Sequence, residues 1–533
     1  MIVNVRNTKY TEEERSLAQN IKYMSSKAYG FMREDLSFRL PHQRSLLRWR
    51  PIRYVRPGID ESVIANLKNM VTSMPENHRI CQITWDEISI RKDLTYNQFT
   101  DVIDGFVDNG QGQREMVIGN KCLFFMIKGI CSKWKYILSY YVSHHAVCAK
   151  DLAQLIRTNI EVAQSIGLKI KAAVCDQAGP NQSAFRILGV SEENGQFLFK
   201  GEKIHFMYDY CHLMKSMRNT FLNNHEVITE DGIVRNLVVK KLYAIDKAND
   251  NFKICPKLTD VHVYPNSFEK MSVSRATQLL SNSVAAGIEM ANDPGLLGED
   301  RGLLKSVKPT QIFVKRMNDL FDELDVKYIG HKNPLKWPMR RNSEGKTGRL
   351  LDHIQYLQNI GVRKKNLACI KGFILTIRSV ISLCEDILDQ YPSLDFVLCG
   401  KLNQDALENF FYKIRASQGL NMHPTAHDIQ YIVARLMSMK ILRHRFQEKR
   451  SNCEDDDDVF LDWIDDHSNA EENGWDEDLS VDYPDEQLAV GEDPLIGNPD
   501  DQLAMEEDLQ DIPEELFIDE IPEKPAELQV QRY

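Results

Sequence analysis

Long apolar runs are scarce in this chain. The best candidate for a membrane crossing, residues 122–130, contains Lys128 and falls well short of the roughly 20 apolar residues a bilayer span needs. The opening residues 1–7 lack the apolar core of a secretion signal. Eleven cysteines include no C-x-x-C pair and no regular spacing, which argues against a disulfide framework and fits a reducing compartment. Together these absences predict a soluble, intracellular protein. Basic residues are nearly missing from residues 454–533, which carry 30 acidic side chains and 2 basic ones. The overall net charge of −11 therefore conceals a body, residues 1–453, with 64 basic and 47 acidic residues. A basic body with an acidic tail suits a polyanion binder whose tail competes for the same surface, although a solvated tail with no role has the same composition.

Periodicity divides the 533 residues into blocks, too many for one simple core. Thr11 followed by Glu12-Glu13-Glu14 starts a helix expected over 11–36, and residues 44–57 read as a basic connecting arm before a second helix over 60–74. Strand patterns follow at 80–90, 102–108 (closed by the Asp108-Asn109-Gly110 turn signal), 121–130 and 134–142. A helix over 149–166, a strand over 168–175, a helix over 181–188 and a strand over 203–207 complete a mixed α/β sheet with helices on its faces. Residues 209–400 are mainly helical by pattern, at 213–222, 273–291, 311–324, 350–357 and 372–388. Further helices are expected over 404–415 and, after Thr425 as N-cap, over 426–437. No internal repeat is present, and the acidic tail is low-complexity sequence expected to be disordered.

Three islands carry chemistry. Asp86 lies inside the apolar strand Ile83-Thr84-Trp85-Asp86-Glu87-Ile88, where burial is costly without a partner or a metal. Glu87 should face the other side. Asp176 ends the strand 170–175, at the carboxyl edge where ligands gather in open α/β sheets, and Asn181 is better placed than Asp176 to cap the following helix. Glu408 follows Asp405 by one helical turn, with Leu407, Phe410 and Phe411 as the stripe that would lock that helix to a sheet. Two strand aspartates and one helix glutamate suit a pair of hard divalent cations around a phosphodiester. Each also has a plain alternative: an edge-strand Asp, a loop cap, and a solvated acidic first turn. Gly345-Lys346-Thr347 is not a P-loop, because Arg340 occupies the position of the motif's first glycine; a GTP-hydrolysing switch is set aside on that ground. His423 with His427, Cys211-His212 and His144-His145 lack metal-ligand spacing or context and are read as surface or core residues.

Six segments form a larger pattern: Trp85 to Ile90, Gly105 to Asp108, Lys133-Trp134-Lys135, Val174 to Gln177, Tyr208 to Asn219 (with Asp-x-x-His-Leu-x-Lys-x-x-Arg-Asn), and Gln404-Asp-Ala-Leu-Glu-Asn-Phe-Phe411. In these the chain resembles the P-element-type transposases and the THAP-domain proteins derived from them, over roughly residues 10–445. The resemblance implies an RNase H-like catalytic domain interrupted by a large, mainly helical GTP-binding insertion. It divides the chain into an N-terminal helical and arm region (1–78), the first part of the catalytic domain (79–208), the insertion (209–400), the last catalytic part (401–453) and the acidic tail (454–533). It makes Asp86, Asp176 and Glu408 the catalytic and metal-binding triad, and it explains the 232 residues between Asp176 and Glu408 as the inserted block. It places GTP contacts on Lys215 (phosphates), on Phe321 and Asp322, and on Asp405 (guanine). The implied cofactors are Mg²⁺ or Mn²⁺ and GTP, the implied partners DNA and other copies of the chain, and the implied location the nucleus. The family's zinc finger needs Cys-x₂₋₄-Cys followed by Cys-x₂-His, whereas the first cysteine here is Cys81; the finger is expected to be lacking. The leading expectation is two-metal DNA cleavage and strand transfer with GTP as cofactor. The alternative is a catalytically silent, domesticated nuclear protein that binds DNA or protein partners.

Overall fold

The computed structural model describes residues 9–447, apart from 50–51, 53, 99, 111–113, 250–251, 291–300, 363–366, 418 and 420. The acidic tail and the end of the helix expected over 273–291 lie outside the described residues. In chain order the helices are α1 Glu12–Met24, α2 Ser26–Glu34, α3 Gln43–Arg48, α4 Glu61–Ser73, α5 Ala149–Ser165, α6 Gly179–Ile187, α7 Tyr210–Asn223 and α8 Asn236–Ala248. They continue as α9 Asp260–Val263, α10 Val273–Leu279, α11 Asn282–Met290, α12 Arg301–Leu324, α13 Glu344–Gln358, α14 Ala368–Gln390, α15 Asp405–Ala416 and α16 Ala426–Gln447. The strands are β1 Ile80–Ser89, β2 Thr95–Asn97, β3 Val102–Asp104, β4 Phe106–Asp108, β5 Arg114–Ile118, β6 Lys121–Gly129, β7 Lys135–Ser143 and β8 Lys169–Cys175. After these come β9 Gln196–Phe199, β10 Glu202–Tyr208, β11 Val227–Thr229, β12 Gly232–Val234, β13 Met339–Arg340 and β14 Phe396–Val397.

The N-terminal start signal works as the sequence predicts. Thr11 Oγ1 accepts from Glu14 N at 3.1 Å while Glu14 Oε2 accepts from Thr11 N at 2.9 Å, a reciprocal capping box. The single helix expected over 11–36 is nonetheless two, because Ser25 turns extended (φ −156°) and its hydroxyl caps α2 through Ala28 N. A serine side chain competing for backbone donors splits a pattern whose apolar spacing alone looks continuous. The arm expected over 44–57 likewise contains α3, whose Leu46 joins Ala18, Tyr29 and Leu40 in a small separate core. The helix expected over 273–291 also breaks, into α10 and α11.

The main sheet has eight strands in the order β5-β4-β7-β6-β1-β8-β10-β9. β1 pairs antiparallel with β6, and β1, β8 and β10 run parallel. Strands buried on both faces explain the continuous apolar runs in β6, β7 and β8, which leave almost no alternation to read. α15 covers one face of β1: Gln82 Nε2 donates to Asn403 O (3.1 Å) and Gln404 Nε2 to Trp85 O (2.8 Å). Phe124, opposite Asp86 in the β1–β6 register, meets Phe410 and Phe411 of α15 edge-on at 5.8 and 5.5 Å. The apolar stripe read from the sequence is therefore the contact that seats this helix. α14, from the mainly helical block, packs on β10 at the other side, where Thr376 Oγ1 accepts from Tyr208 N and donates to Tyr208 O.

Candidate active site

Three carboxylates come together at the ends of the parallel strands. The β1–β8 register reaches Thr84 opposite Val174; two residues further, the same register sets Asp86 beside Asp176. The β8–β10 register reaches Cys175 opposite Tyr208, and Asp209 N donates to Cys175 O at 2.8 Å, so Asp209 stands next to Asp176 on its other side. Asp176 Oδ1 accepts from Ala178 N (3.2 Å) and from Asn181 Nδ2 (2.5 Å). Asn181 is thus not the cap of α6, whose N-cap is Ala178 without a side-chain bond. Instead it joins two strands, since its Oδ1 accepts from Trp85 Nε1 at 2.8 Å while its amide holds Asp176. Glu87 faces away from the site as expected, bound to Lys121 Nζ at 3.0 Å.

α15 brings in Glu408. Its carboxylate lies 3.4 Å from His212 Nε2, and His212 Nδ1 lies 2.6 Å from Oδ2 of the buried Asp209. The ligand atoms of Asp209, His212 and Glu408 fall within 4.8 Å of one another, an arrangement able to hold a cation. Reading Cys211-His212 as an ordinary core or surface pair is therefore corrected for His212. A metal-spacing search misses it because its partners are the N-cap of its own helix and a helix 196 residues later. The signal present in the sequence was Asp209-x-x-His212, an N-cap and first-turn pair on one helix end.

The electrostatics fit this crowding. Burial pushes the Asp86 carboxyl up to about 7, the neighbouring Asp176 and Glu408 charges push the same way, and the Glu87 N–H and His212 oppose them. Burial works against a charged His212, yet the hydrogen bond and charge of Asp209, with Glu408 behind it, raise its imidazolium to about 9. A carboxyl whose ionisation is opposed by burial and by neighbouring carboxylates is a group that a divalent cation would ionise, and the oxygen donors are of the type Mg²⁺ and Mn²⁺ take. The donor set therefore fits a metal. Because the folded carboxyl lies above its ordinary 3.8, Asp86 contributes stability below that value and loses it as pH rises toward 7. Mg²⁺ should accordingly raise the melting temperature more above pH 7 than at about pH 6, and Asp86→Asn should flatten this difference. Thermal melts with and without Mg²⁺ across pH measure it, and an equal rise at every pH contradicts it.

The residues assigned to GTP divide into three places. Phe321 packs edge-on against Tyr210 at 5.7 Å, and Tyr210 Oη donates to Asp325 Oδ1 at 2.7 Å. Asp405 adjoins the same group: Oδ2 accepts from Asn403 Nδ2 (2.7 Å) and lies 3.8 Å from Lys327 Nζ, which also lies 3.4 Å from Asp325. Burial and Asp209 push the Asp405 carboxyl up to about 6. Asp322 belongs to another face of α12, bound by Asn318, Asn333 and Lys336. Lys215 lies one turn beyond His212 on α7, where its charge acts on that imidazole. Phe321 and Asp405 thus stand together, while Asp322 and Lys215 stand elsewhere.

Four family descriptions match along the chain: a transposable element P transposase-like HTH domain at 1–49, a TNP-like RNase H N-terminal domain at 55–189, a TNP-like GTP-binding insertion domain at 211–338, and a TNP-like RNase H C-terminal domain at 401–430. The chain belongs to the P-element transposase-like family. Its N-terminal match is a helix-turn-helix rather than a zinc finger, and α1 to α3 fall within it. Among similar proteins, human "DNA transposase THAP9" is 23% identical over 84% of this chain and 50% of its own length. "Transposable element P transposase" of Drosophila melanogaster is 23% identical over 79% of this chain and 53% of its own. The chain thus spans about half the length of these curated relatives. A solved structure titled "Drosophila P element transposase strand transfer complex" superposes with a TM-score of 0.69 at 22% identity, covering 81% of this chain and 93% of that one. The likeness establishes the RNase H-like fold of this family member, and the residues matched as the GTP-binding insertion domain lie between those matched as its two RNase H parts. No helix among the described residues is long and apolar enough to cross a membrane.

Proposed function

We propose that this P-element-like chain is a DNA transposase that cleaves phosphodiesters and joins strands at Asp86, Asp176 and Glu408. The observation that carries the reading is the meeting of Asp86 and Asp176 at adjacent strand ends, with Glu408 delivered from 232 residues away by the phenylalanine contact of α15. Divalent metal, Mg²⁺ or Mn²⁺, would supply acidity to the attacking oxygen and charge neutralisation to the leaving one. Asp86 and Asp176 would hold it from the sheet and Glu408 from the helix, while Asn181 fixes Asp176 and the Asp209–His212 pair fixes Glu408. No protein nucleophile is needed. The basic body supplies sequence-independent phosphate attraction for DNA. GTP binds beside Phe321 and Asp405 and positions the insertion without being hydrolysed, as no P-loop is present. Assembly with other copies, on DNA in the nucleus, completes the proposal.

The second reading, a silent DNA-binding derivative, draws on the His212 ring 3.4 Å from Glu408, a contact that competes with a cation for that carboxylate. A nicking assay on supercoiled DNA with Mn²⁺ or Mg²⁺, with and without GTP, separates the two. Metal-dependent nicking supports the transposase; DNA binding without nicking under every metal supports the silent protein.

A further inference from the structure

One ring nitrogen stands among the carboxylates of the candidate centre, and the fold fixes which atom of its ring is turned to them. Asp209 is buried and held at the strand end by its own N–H, which donates to Cys175 O at 2.8 Å. Its Oδ1 accepts from Cys211 N at 3.1 Å as the cap of α7, and its Oδ2 lies 2.6 Å from His212 Nδ1. Both oxygens are thus engaged within the protein. A carboxylate only accepts, so the hydrogen on this side of the ring sits on Nδ1, and Nε2 is the atom presented to Glu408. Nε2 stands 3.4 Å from Glu408 Oε1, beyond the about 2.7–2.9 Å of a close charge-assisted hydrogen bond. Two ligands on adjacent corners of an octahedron, each bonded at about 2.1 Å, stand about 3.0 Å apart, so this gap is near the one a shared cation sets. The His212 and Glu408 side chains are 26% and 44% exposed, which leaves the gap open to a hydrated ion. The charges of both groups act on the Asp86 carboxyl, so the gap adjoins the strand aspartates.

We propose that His212 Nε2 is a metal ligand of this centre beside Glu408 Oε1, that Asp209 orients the ring, and that the nitrogen biases the centre toward Mn²⁺ over Mg²⁺. The proposal rests on the metal-dependent reading given above and narrows its choice of ion. Imidazoles on a metal ordinarily give their second N–H to a carboxylate or carbonyl, as His212 does to Asp209. Mg²⁺ is a hard ion that keeps oxygen ligands and water, whereas first-row transition divalents take a nitrogen donor more readily. Three carboxylates with one imidazole therefore favour Mn²⁺ more than an all-oxygen set does. On binding, the Nε2 lone pair makes the new bond, a proton held there leaves to solvent, and Nδ1 keeps its own on Asp209. The ring and Glu408 then share one ion in place of their direct contact.

The test reads the bound ion and needs no cleavage. The full native chain and His212→Gln, matched in melting temperature without metal, are titrated with Mn²⁺ by electron paramagnetic resonance, with Mg²⁺ as competitor. In the native chain, spin-echo modulation from a nitrogen nucleus should mark an imidazole on the bound Mn²⁺. His212→Gln should lose that modulation and bind Mn²⁺ about tenfold more weakly, with Mg²⁺ affinity changed by less than about threefold. Asp209→Asn, which keeps a capping side chain for α7, should also weaken Mn²⁺ by about tenfold, the lower end of the usual loss when a ligand's support is removed. Bound Mn²⁺ without nitrogen modulation in the native chain overturns the proposal and leaves the carboxylate reading standing. So does an equal loss of Mn²⁺ and Mg²⁺ affinity in His212→Gln, which would make the ring a support for Glu408 alone. Asp176→Ala probes the underlying reading separately. Modulation lost in that variant too supports one shared centre, whereas modulation that survives it keeps His212 as a ligand and rejects the carboxylate reading. A native chain that binds no Mn²⁺ rejects both.

Discussion

Asp176→Ala should lower metal-dependent strand cleavage on the order of 10³-fold or more while duplex DNA binding stays at its native level, the scale seen when a reacting centre loses one of its members. The reason is local. Asp176 sits between Asp86 and Asp209 on neighbouring strand ends, so its loss removes the carboxylate that both flank. It also releases Asn181, whose amide would lose its acceptor while its oxygen still holds Trp85. Asn181→Ala is the companion measurement: it keeps every proposed metal-binding carboxylate, and should cost about 10–100-fold as a change in their support. Cleavage by Asp176→Ala at the native rate would remove the triad assignment, whatever the DNA affinity.

The second large effect is on the helix seat. Phe124 is fully buried, stacked on Tyr140 at 5.3 Å and met edge-on by Phe410 and Phe411. Phe124→Ala should destabilise the fold by about 3–5 kcal/mol, the usual cost of emptying a buried phenylalanine site. Because the same ring positions α15, cleavage should fall further than unfolding explains when both are measured well below the melting temperature. Phe124→Leu, which keeps most of the volume, should cost less than about 1.5 kcal/mol and recover most of the cleavage. Equal activity in the alanine and leucine variants would show that α15 is held by its backbone and amide contacts alone.

Asp86, Asp176 and Glu408 stand out in the sequence because each lies at the end or edge of an apolar run. The seat of α15 follows from the stripe that holds Phe410 and Phe411, which meet Phe124. What stayed hidden was cross-chain geometry. Asp209 caps α7 through Cys211 N and also holds His212, whose other ring nitrogen faces Glu408. Asn181 has the composition of a cap and works as a brace between strands. Lys128 and Lys135 look like ordinary charges flanking a turn until register places them opposite each other. Ser25 interrupts a helix whose apolar spacing gives no sign of it.

The pairing of Gln82 with Asn403 and of Gln404 with Trp85 also has a consequence in time. These bonds close loops of 321 and 319 residues around the centre of the sheet. At roughly 5–20 residues per second of synthesis, Glu408 emerges about 10–50 seconds after Asp176. During that interval a nascent chain has its two strand aspartates but no helix over them, and the buried face of β1 waits for its cover. Any species halted before residue 416 would therefore expose Phe124 and Trp85's neighbours to water and to chaperones, while lacking the helix that brings Glu408. The carboxylate cluster and the cover of β1 thus wait for the same late-made segment.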